Sequence, residues 1–288
     1  MPRSWRASKA GVLRALAALA LAIAVSAAGQ PSSSPGVDPL HRPLDALLDM
    51  YVRDGLVYYN ALKALPGPLE EYLQALAAVP PATINGWPRE RQVAFWLNAY
   101  NALVLDTVVD HYPIRGRSPA YPAASIRQIP GAFDGRTHRV GGRTLTLDAL
   151  ETELLTLSGD ARVVLALGRG AIGGGRLRSE AFAASRLDAQ LEAVAREAVT
   201  RHEIVRLDAG AGLISLSPLF SWRDDAFIVS YAGRARPEFA SRSPIERAAL
   251  ALIEPALLAA EREFIGRNGF RVAFHEFDWR LNDLSGGR

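Results

Sequence analysis

The sequence predicts a single α+β domain in which helices pack on a central, mainly antiparallel sheet, with one long buried helix. Three observations support this fold class. Residues 92–111 form a helical pattern that is apolar on nearly every side, which is typical of a helix in the middle of a domain. Residues 137–146 and 203–217 each resemble two short strands joined by a glycine-containing turn. Residues 162–167 are mostly apolar and predict a buried strand.

The N-terminal segment, 1–28, has the pattern of a secretory signal peptide. It contains four basic residues and no acidic residue, and its apolar run at 15–25 is followed by small residues. We expect cleavage near Ala27 or Ala28, which predicts a periplasmic or secreted protein with no stable membrane insertion after cleavage. An uncleaved anchor is the alternative, although the apolar run is shorter than the about 20 residues that a spanning helix needs.

Composition excludes two classes of function. The chain has 33 basic and 30 acidic residues, and without the four basic residues of the N-terminal segment it has 29 basic residues against 30 acidic ones. A nucleic-acid-binding domain normally has a basic surplus, so we predict no nucleic-acid partner. Cysteine is absent from the sequence, which excludes thiol nucleophiles, disulfides and thiolate metal ligands.

The remaining chain divides into a lead-in and one domain. Residues 29–43 are rich in proline and serine and predict a disordered lead-in, in which His41 is expected to be solvated. The domain is expected at 44–288, with its core at about 87–227. In chain order, the pattern predicts helix 44–51, strand 56–59, helix 68–79, helix 92–111, hairpin 137–146, a helix capped by Thr146, strand 162–167, helix 184–200, hairpin 203–217, helix 243–263 broken at Pro255, and strand 270–277.

Two asparagines, Asn98 and Asn101, lie three residues apart and therefore share a face of the central helix. A buried amide without partners costs roughly 1–3 kcal/mol, so both side chains must find hydrogen bonds. The favoured interpretation is that they bind neighbouring backbone. The alternative is that one of them lines a ligand pocket.

Other motifs are weaker. Gly168, Gly170 and Gly173 have the spacing of a dinucleotide-binding loop, but no repeated βαβ units surround them, so a flexible turn is favoured and no cofactor is predicted. The histidines do not have the spacing of a zinc site, and no metal is predicted. Trp222 and Asp225 lie in an aromatic turn at 220–227, where they could line a ligand pocket or simply form core and turn contacts.

Several segments, in one order, resemble the DUF547 family, a domain of unknown function. Residues 94–103 resemble the signature helix of that family. The other similar segments are 140–148, 160–167, 177–182, 187–191, 216–225 and 277–282. The resemblance covers roughly 44–283, and it implies that the positions carrying the family's cysteines and histidines form a site.

At those positions this chain differs from the family. It has Val164 and Thr152 where family members often have histidine, and Arg169 and Gly174 where they often have cysteine. A thiolate–imidazole pair is therefore excluded here. Arg169, surrounded by glycine N–H groups, could hold a carboxylate or phosphate. A solvent-facing loop arginine is the favoured interpretation, because a glycine-rich loop is usually mobile surface.

The sequence leaves open whether this protein is an enzyme, and its catalytic residues are unknown. The favoured hypothesis is an exported DUF547-like protein that binds a small molecule or peptide without cysteine chemistry. The alternatives are a hydrolase or transferase that uses non-thiol residues of the same cleft, and a structural scaffold. The candidate ligand-binding residues are Asn98, Asn101, Arg169, Trp222 and Asp225.

Overall fold

The computed structural model describes residues 34–286; the predicted signal peptide and the first part of the predicted lead-in lie outside them. The helices, in chain order, are α1 (Arg42–Tyr51), α2 (Tyr59–Ala64), α3 (Gly67–Ala78), α4 (Pro81–Asn85), α5 (Arg89–His111), α6 (Leu147–Ser158), α7 (Arg162–Ala166), α8 (Leu187–Ala198), α9 (Leu219–Trp222), α10 (Asp224–Tyr231), α11 (Pro244–Ile253) and α12 (Ala259–Gly266). The strands are β1 (Val52–Arg53), β2 (Leu56–Val57), β3 (His138–Val140), β4 (Arg143–Leu145), β5 (Val205–Asp208), β6 (Leu213–Leu216) and β7 (Arg271–Phe274).

Helix α5 lies at the centre of the domain. It is 23 residues long, and apolar side chains from all around it, such as Phe95, Leu97 and Tyr100, are fully buried. Helices α2, α3 and α6 pack against it, which is how a helix that is apolar on every side removes its surface from water. The predicted long buried helix is confirmed. No helix within residues 34–286 is long and apolar enough to cross a membrane.

The strands form three small sheets. Strands β1 and β2 pair with each other, β3 and β4 pair with each other, and the third sheet has the order β5-β6-β7. All pairs are antiparallel except β6 with β7, which is parallel. Both predicted hairpins are confirmed, as is the single α+β domain. The centre is nevertheless helical, because strands of two to four residues are too short to cover α5.

The prediction of a buried strand at 162–167 is wrong, since this segment forms helix α7. The segment is buried as expected, but an apolar run this short has no periodicity that separates strand from helix. The sequence signal that favours a helix lies just before this segment, at Asp160. The Asp160 carboxylate accepts a hydrogen bond from the backbone N–H of Arg162 at 2.9 Å, and the Asp160 carbonyl accepts one from Val163 at 3.2 Å. Aspartate at this position favours a helical turn.

The other helix boundaries follow their predicted signals. Thr146 caps α6 by accepting a hydrogen bond from the backbone N–H of Ala149. Ser243 and Glu246 form a capping box at the start of α11, and the predicted break at Pro255 is confirmed.

The expectation that His41 is solvated is wrong. Its ring is buried, with Nδ1 2.7 Å from the Tyr72 hydroxyl, and this burial lowers the pKa of His41 to about 4.

Candidate functional site

Asn98 and Asn101 bind backbone, as the favoured interpretation predicted. The Asn98 amide donates to the Phe182 carbonyl at 2.9 Å and accepts from the Phe182 N–H at 2.8 Å. Asn101 accepts from the Gly168 N–H at 2.8 Å and donates to the Ala166 carbonyl at 3.3 Å. Both side chains are buried. The two amides therefore hold the segments that follow α7 and precede α8 against the central helix.

The glycine-rich loop, 168–175, is largely buried, so the expected mobile surface turn is not found. A Cβ atom at Gly175 would collide with the Leu165 carbonyl oxygen, so glycine is needed there for one backbone segment to approach another. Most of the loop's N–H groups already have partners: for example, that of Gly168 binds Asn101, and that of Gly173 donates to the Asp278 carbonyl at 2.9 Å. The loop therefore does not present a free N–H cradle for a pyrophosphate.

Arg169 lies inside the protein, in contrast to the favoured expectation of a solvent-facing side chain. Its Nη2 donates to Glu151 Oε1 at 2.6 Å, and these two side chains are only 5% and 4% exposed. Its Nη1 donates to the Val164 carbonyl at 3.1 Å. Arg223 Nε donates to the same Glu151 oxygen at 2.9 Å. We call Glu151, Arg169 and Arg223 the ion triad.

The charge of Glu151 keeps the buried Arg169 guanidinium protonated. Burial lowers the pKa of the Arg169 guanidinium, but the adjacent Glu151 carboxylate outweighs it, so the pKa lies above its usual value. Burial raises the pKa of the neighbouring Tyr100 phenol, and the charge of Glu151 raises it further. Tyr100 therefore stays protonated, and its hydroxyl lies 3.5 Å from the second oxygen of Glu151.

Three of the four positions that the resemblance singled out lie together around Arg169. Val164 is fully buried and its carbonyl accepts from Arg169. A Cβ atom at Gly174 would lie 3.3 Å from the Cβ of Arg169. Thr152 instead points to solvent and donates to the Asp148 carbonyl of its own helix at 2.9 Å. Its neighbour Glu151 is the residue of α6 that binds Arg169.

A cleft of about 210 Å³ lies over the ion triad. Its lining consists of Arg127, Phe133, Asp148, Glu151, Arg169, Trp222, Arg223 and Trp279. The rings of Trp222 and Trp279 stack with 5.9 Å between centroids and an interplanar angle of 22°. Trp222 is 42% exposed, so part of its ring faces the solvent. We call this space the tryptophan cleft.

The remaining sequence candidate lies elsewhere. Asp225 is exposed in the first turn of α10, where its N–H donates to the Asp224 carboxylate at 2.9 Å, and it does not line the tryptophan cleft. Of the five candidates, the structure therefore brings Arg169 and Trp222 together in one cleft. Asn101 binds the backbone of Gly168, next to Arg169, whereas Asn98 binds Phe182, which does not line the cleft.

A larger cleft, of about 1100 Å³, runs along α8, α10 and α11. Its most buried cation, Arg162, already bonds Asp160 and Asp188 at 2.7 Å each and Glu192 at 3.3 Å. None of the candidate residues lines it. The smaller cleft is the better candidate site, because burying the charges of Glu151 and Arg169 is costly, whereas the Arg162 partners Asp188 and Glu192 are exposed.

The sequence reasoning missed most of the cleft, including Glu151, Arg127, Asp148 and Arg223. The sequence does contain one sign that Glu151 is buried. Glu151 lies four residues after Leu147 and three before Leu154, so it shares the apolar face of α6. A carboxylate on an apolar face needs a buried partner.

No group of three or more His, Asp or Glu side chains in the described part of the chain could hold a metal ion.

Comparison with known proteins gives a family resemblance, but no activity, ligand or partner. The search found no significant match to a curated protein or to a solved structure. The family model that matches is described as a protein of unknown function, DUF547, and it covers residues 84–198, from helix α4 to the end of α8. This segment includes α5, the glycine-rich loop, Glu151 and Arg169. Within residues 84–198 the chain is therefore similar to the DUF547 family, in agreement with the motifs quoted above.

Proposed function

We propose that this protein is a binding protein that holds a small molecule, or the end of a peptide, in the tryptophan cleft. The observation that carries the proposal is the buried Glu151–Arg169 pair, joined by the partly exposed Arg223, in one cleft with the stacked rings of Trp222 and Trp279. Ligand sites typically combine apolar and aromatic walls with a few fixed polar groups. The volume lies below the roughly 300–1,000 Å³ of drug-sized ligand sites, so a small ligand or an end group fits best.

The chemistry of the site supports binding rather than thiol catalysis. The chain has no cysteine, and the position where family members often have one carries Arg169. Arg169 has given its Nη2 to Glu151 and its Nη1 to a backbone carbonyl, so its role is to fix the floor of the cleft. Trp222, Arg223 and Trp279 complete the walls from beyond the segment that the family model matches.

Thermal denaturation with a ligand panel tests the proposal. The panel contains small carboxylates, phosphates, amines, sugars and short peptides. We expect at least one class to raise the melting temperature, and Trp222→Ala to remove that shift. Tyr58→Ala is the matched control, because Tyr58 is 45% exposed and does not line the cleft. If no class shifts the melting temperature, or if Trp222→Ala responds like Tyr58→Ala, the scaffold interpretation replaces this proposal.

We also propose that the protein is exported to the periplasm or secreted, on the pattern of residues 1–28. Expression with a C-terminal tag in a Gram-negative host, followed by fractionation and N-terminal sequencing, tests this. We expect a product that begins near residue 28 outside the cytoplasm, and retention of Leu19→Arg, which interrupts the apolar run. An unprocessed cytoplasmic product would contradict export, and an unprocessed membrane-bound product would indicate an anchor.

A further inference from the structure

The cations of the tryptophan cleft are not all neutralised. Arg169 and Arg223 share one oxygen of Glu151, at 2.6 Å and 2.9 Å. Arg127 is different. Within residues 34–286 it makes no ion pair with a carboxylate, and its Nη2 donates only to the Tyr121 hydroxyl, at 3.2 Å. One carboxylate therefore serves two guanidinium groups, and a third guanidinium has none.

Aromatic rings fix the position of Arg127. Its guanidinium carbon lies 5.2 Å from the ring centroid of Tyr121, 5.7 Å from that of Phe133 and 5.1 Å from that of Trp279. Cation–π contacts of this kind hold a cation in place without cancelling its charge. Arg127 is itself exposed, so its remaining donors are open to a ligand. A fixed, exposed guanidinium is suited to binding a carboxylate or phosphate.

The second carboxylate of the cleft does not balance this charge. Asp148 is exposed in the first turn of α6. Partial burial of its carboxyl group raises the pKa of Asp148, and the negative charge of Glu151 raises it further, which outweighs the lowering by Arg223 and Arg127. Both effects favour the neutral form of its carboxyl group. With three arginines against Glu151 and Asp148, the lining is positive, and it becomes more so as Asp148 takes up a proton.

The aromatic wall of the cleft is apolar, and Arg127 packs on one of its rings, that of Trp279. Phe277 lies 5.0 Å from Trp222 and 4.4 Å from Trp279, ring centroid to ring centroid, which supports the stacked pair from behind. The exposed part of the Trp222 ring offers a face for a planar group. At about 210 Å³ the cleft has room for a small ligand of this kind.

We propose that the tryptophan cleft selects a small organic anion with a planar apolar body, whose carboxylate or phosphate binds Arg127 and Arg223 while its body packs on Trp222. This inference rests on the proposed binding function and gives it a ligand class. Cations of the same shape are disfavoured by the positive lining, and neutral ligands lose the contact with Arg127.

Four probes with one ring and different charge test the class. Benzoate and phenyl phosphate carry an anion, benzyl alcohol is neutral and benzylamine is a cation at neutral pH. Their binding is followed by tryptophan fluorescence and calorimetry. We expect the better anion to bind at least about ten-fold more tightly than benzyl alcohol, and benzylamine to bind most weakly. The comparison of benzoate with phenyl phosphate shows which anionic group fits.

Variants separate a charge effect from a packing effect. Arg127→Met is expected to weaken the better anion about ten-fold and to leave benzyl alcohol unchanged, and Arg127→Lys is expected to retain part of the anion preference. The matched control is Arg139→Met, since Arg139 is also exposed but does not line the cleft. Equal weakening of anion and alcohol by Arg127→Met would overturn the inference, because Arg127 would then act through packing alone.

The results that would contradict this inference differ from those that would contradict the proposed binding function. If benzyl alcohol or benzylamine binds as tightly as the anions, the cleft is a binding site but its class is wrong. If none of the four probes binds while another class of the panel does, the same conclusion holds. If nothing in the panel binds, both proposals fall.

Discussion

Replacing Arg169 with methionine is expected to lower the free energy of unfolding by about 3–5 kcal/mol, the usual cost of removing one partner of a buried ion pair. Glu151 would lose its 2.6 Å bond and keep Arg223 as its only cationic partner, and Arg223 is partly exposed. The Val164 carbonyl would lose its side-chain donor. Urea unfolding of wild type and Arg169→Met, with a common m-value, measures the change.

The matched control is Arg143→Met. Arg143 donates twice to Glu153, at 2.6 Å and 2.7 Å, but these side chains are 42% and 46% exposed. Exposed pairs contribute about 0–1 kcal/mol, since water solvates the charges when the pair is broken. The double variant Arg169→Met with Glu151→Leu should recover part of the loss, because it leaves no unpaired buried charge. If Arg169→Met costs no more than Arg143→Met, burial of the ion triad does not govern stability.

Replacing Asn98 with alanine is expected to cost roughly 2–6 kcal/mol, because two buried backbone groups would each lose a partner at about 1–3 kcal/mol. Both groups belong to Phe182, whose N–H and carbonyl bind the Asn98 amide. Alanine gains at most about 0.7 kcal/mol of helix propensity, which does not offset the loss. Denaturant unfolding measures the effect, and hydrogen exchange at the Phe182 N–H should accelerate.

Gln74→Ala on helix α3 is the control for this prediction. Gln74 is a helical amide that is exposed, so its replacement should change the free energy of unfolding by less than about 0.5 kcal/mol. A similarly small change for Asn98→Ala would mean that water or a shifted backbone replaces the amide. In that case Asn98 would not be needed to hold 182 against α5.

Local signals predicted much of the fold. Thr146 and Ser243 cap helices as expected, because a cap depends on residues three positions away. Gly141 and Gly142 adopt φ of +58° and +67° and form the predicted hairpin turn, because few other residues adopt that conformation. The central helix was recognisable since its apolar pattern runs over six turns and strands are not that long.

Structural features that depend on residues far apart in the sequence could not be predicted from local patterns. The five apolar residues at 163–167 suit a strand or a helix equally, so the local pattern does not distinguish the two structures. The glycine neighbours of Arg169 predict a mobile, solvent-facing loop, and only the fold brings Glu151 to it from α6. Trp222 and Trp279 are 57 positions apart in the numbering, so no local pattern could pair their rings.

The bonds that hold the central helix also bear on how the chain folds. Asn101 and Asn98 bind residues 65 to 84 positions away, and Tyr59 donates to Asn282, which is 223 positions away. Helical proteins usually fold quickly because their contacts are local, whereas contacts of high sequence separation require large loops to close first. This domain therefore combines helical secondary structure with buried contacts of high sequence separation. Its folding rate should resemble that of a mixed or β-rich domain rather than that of a helical bundle.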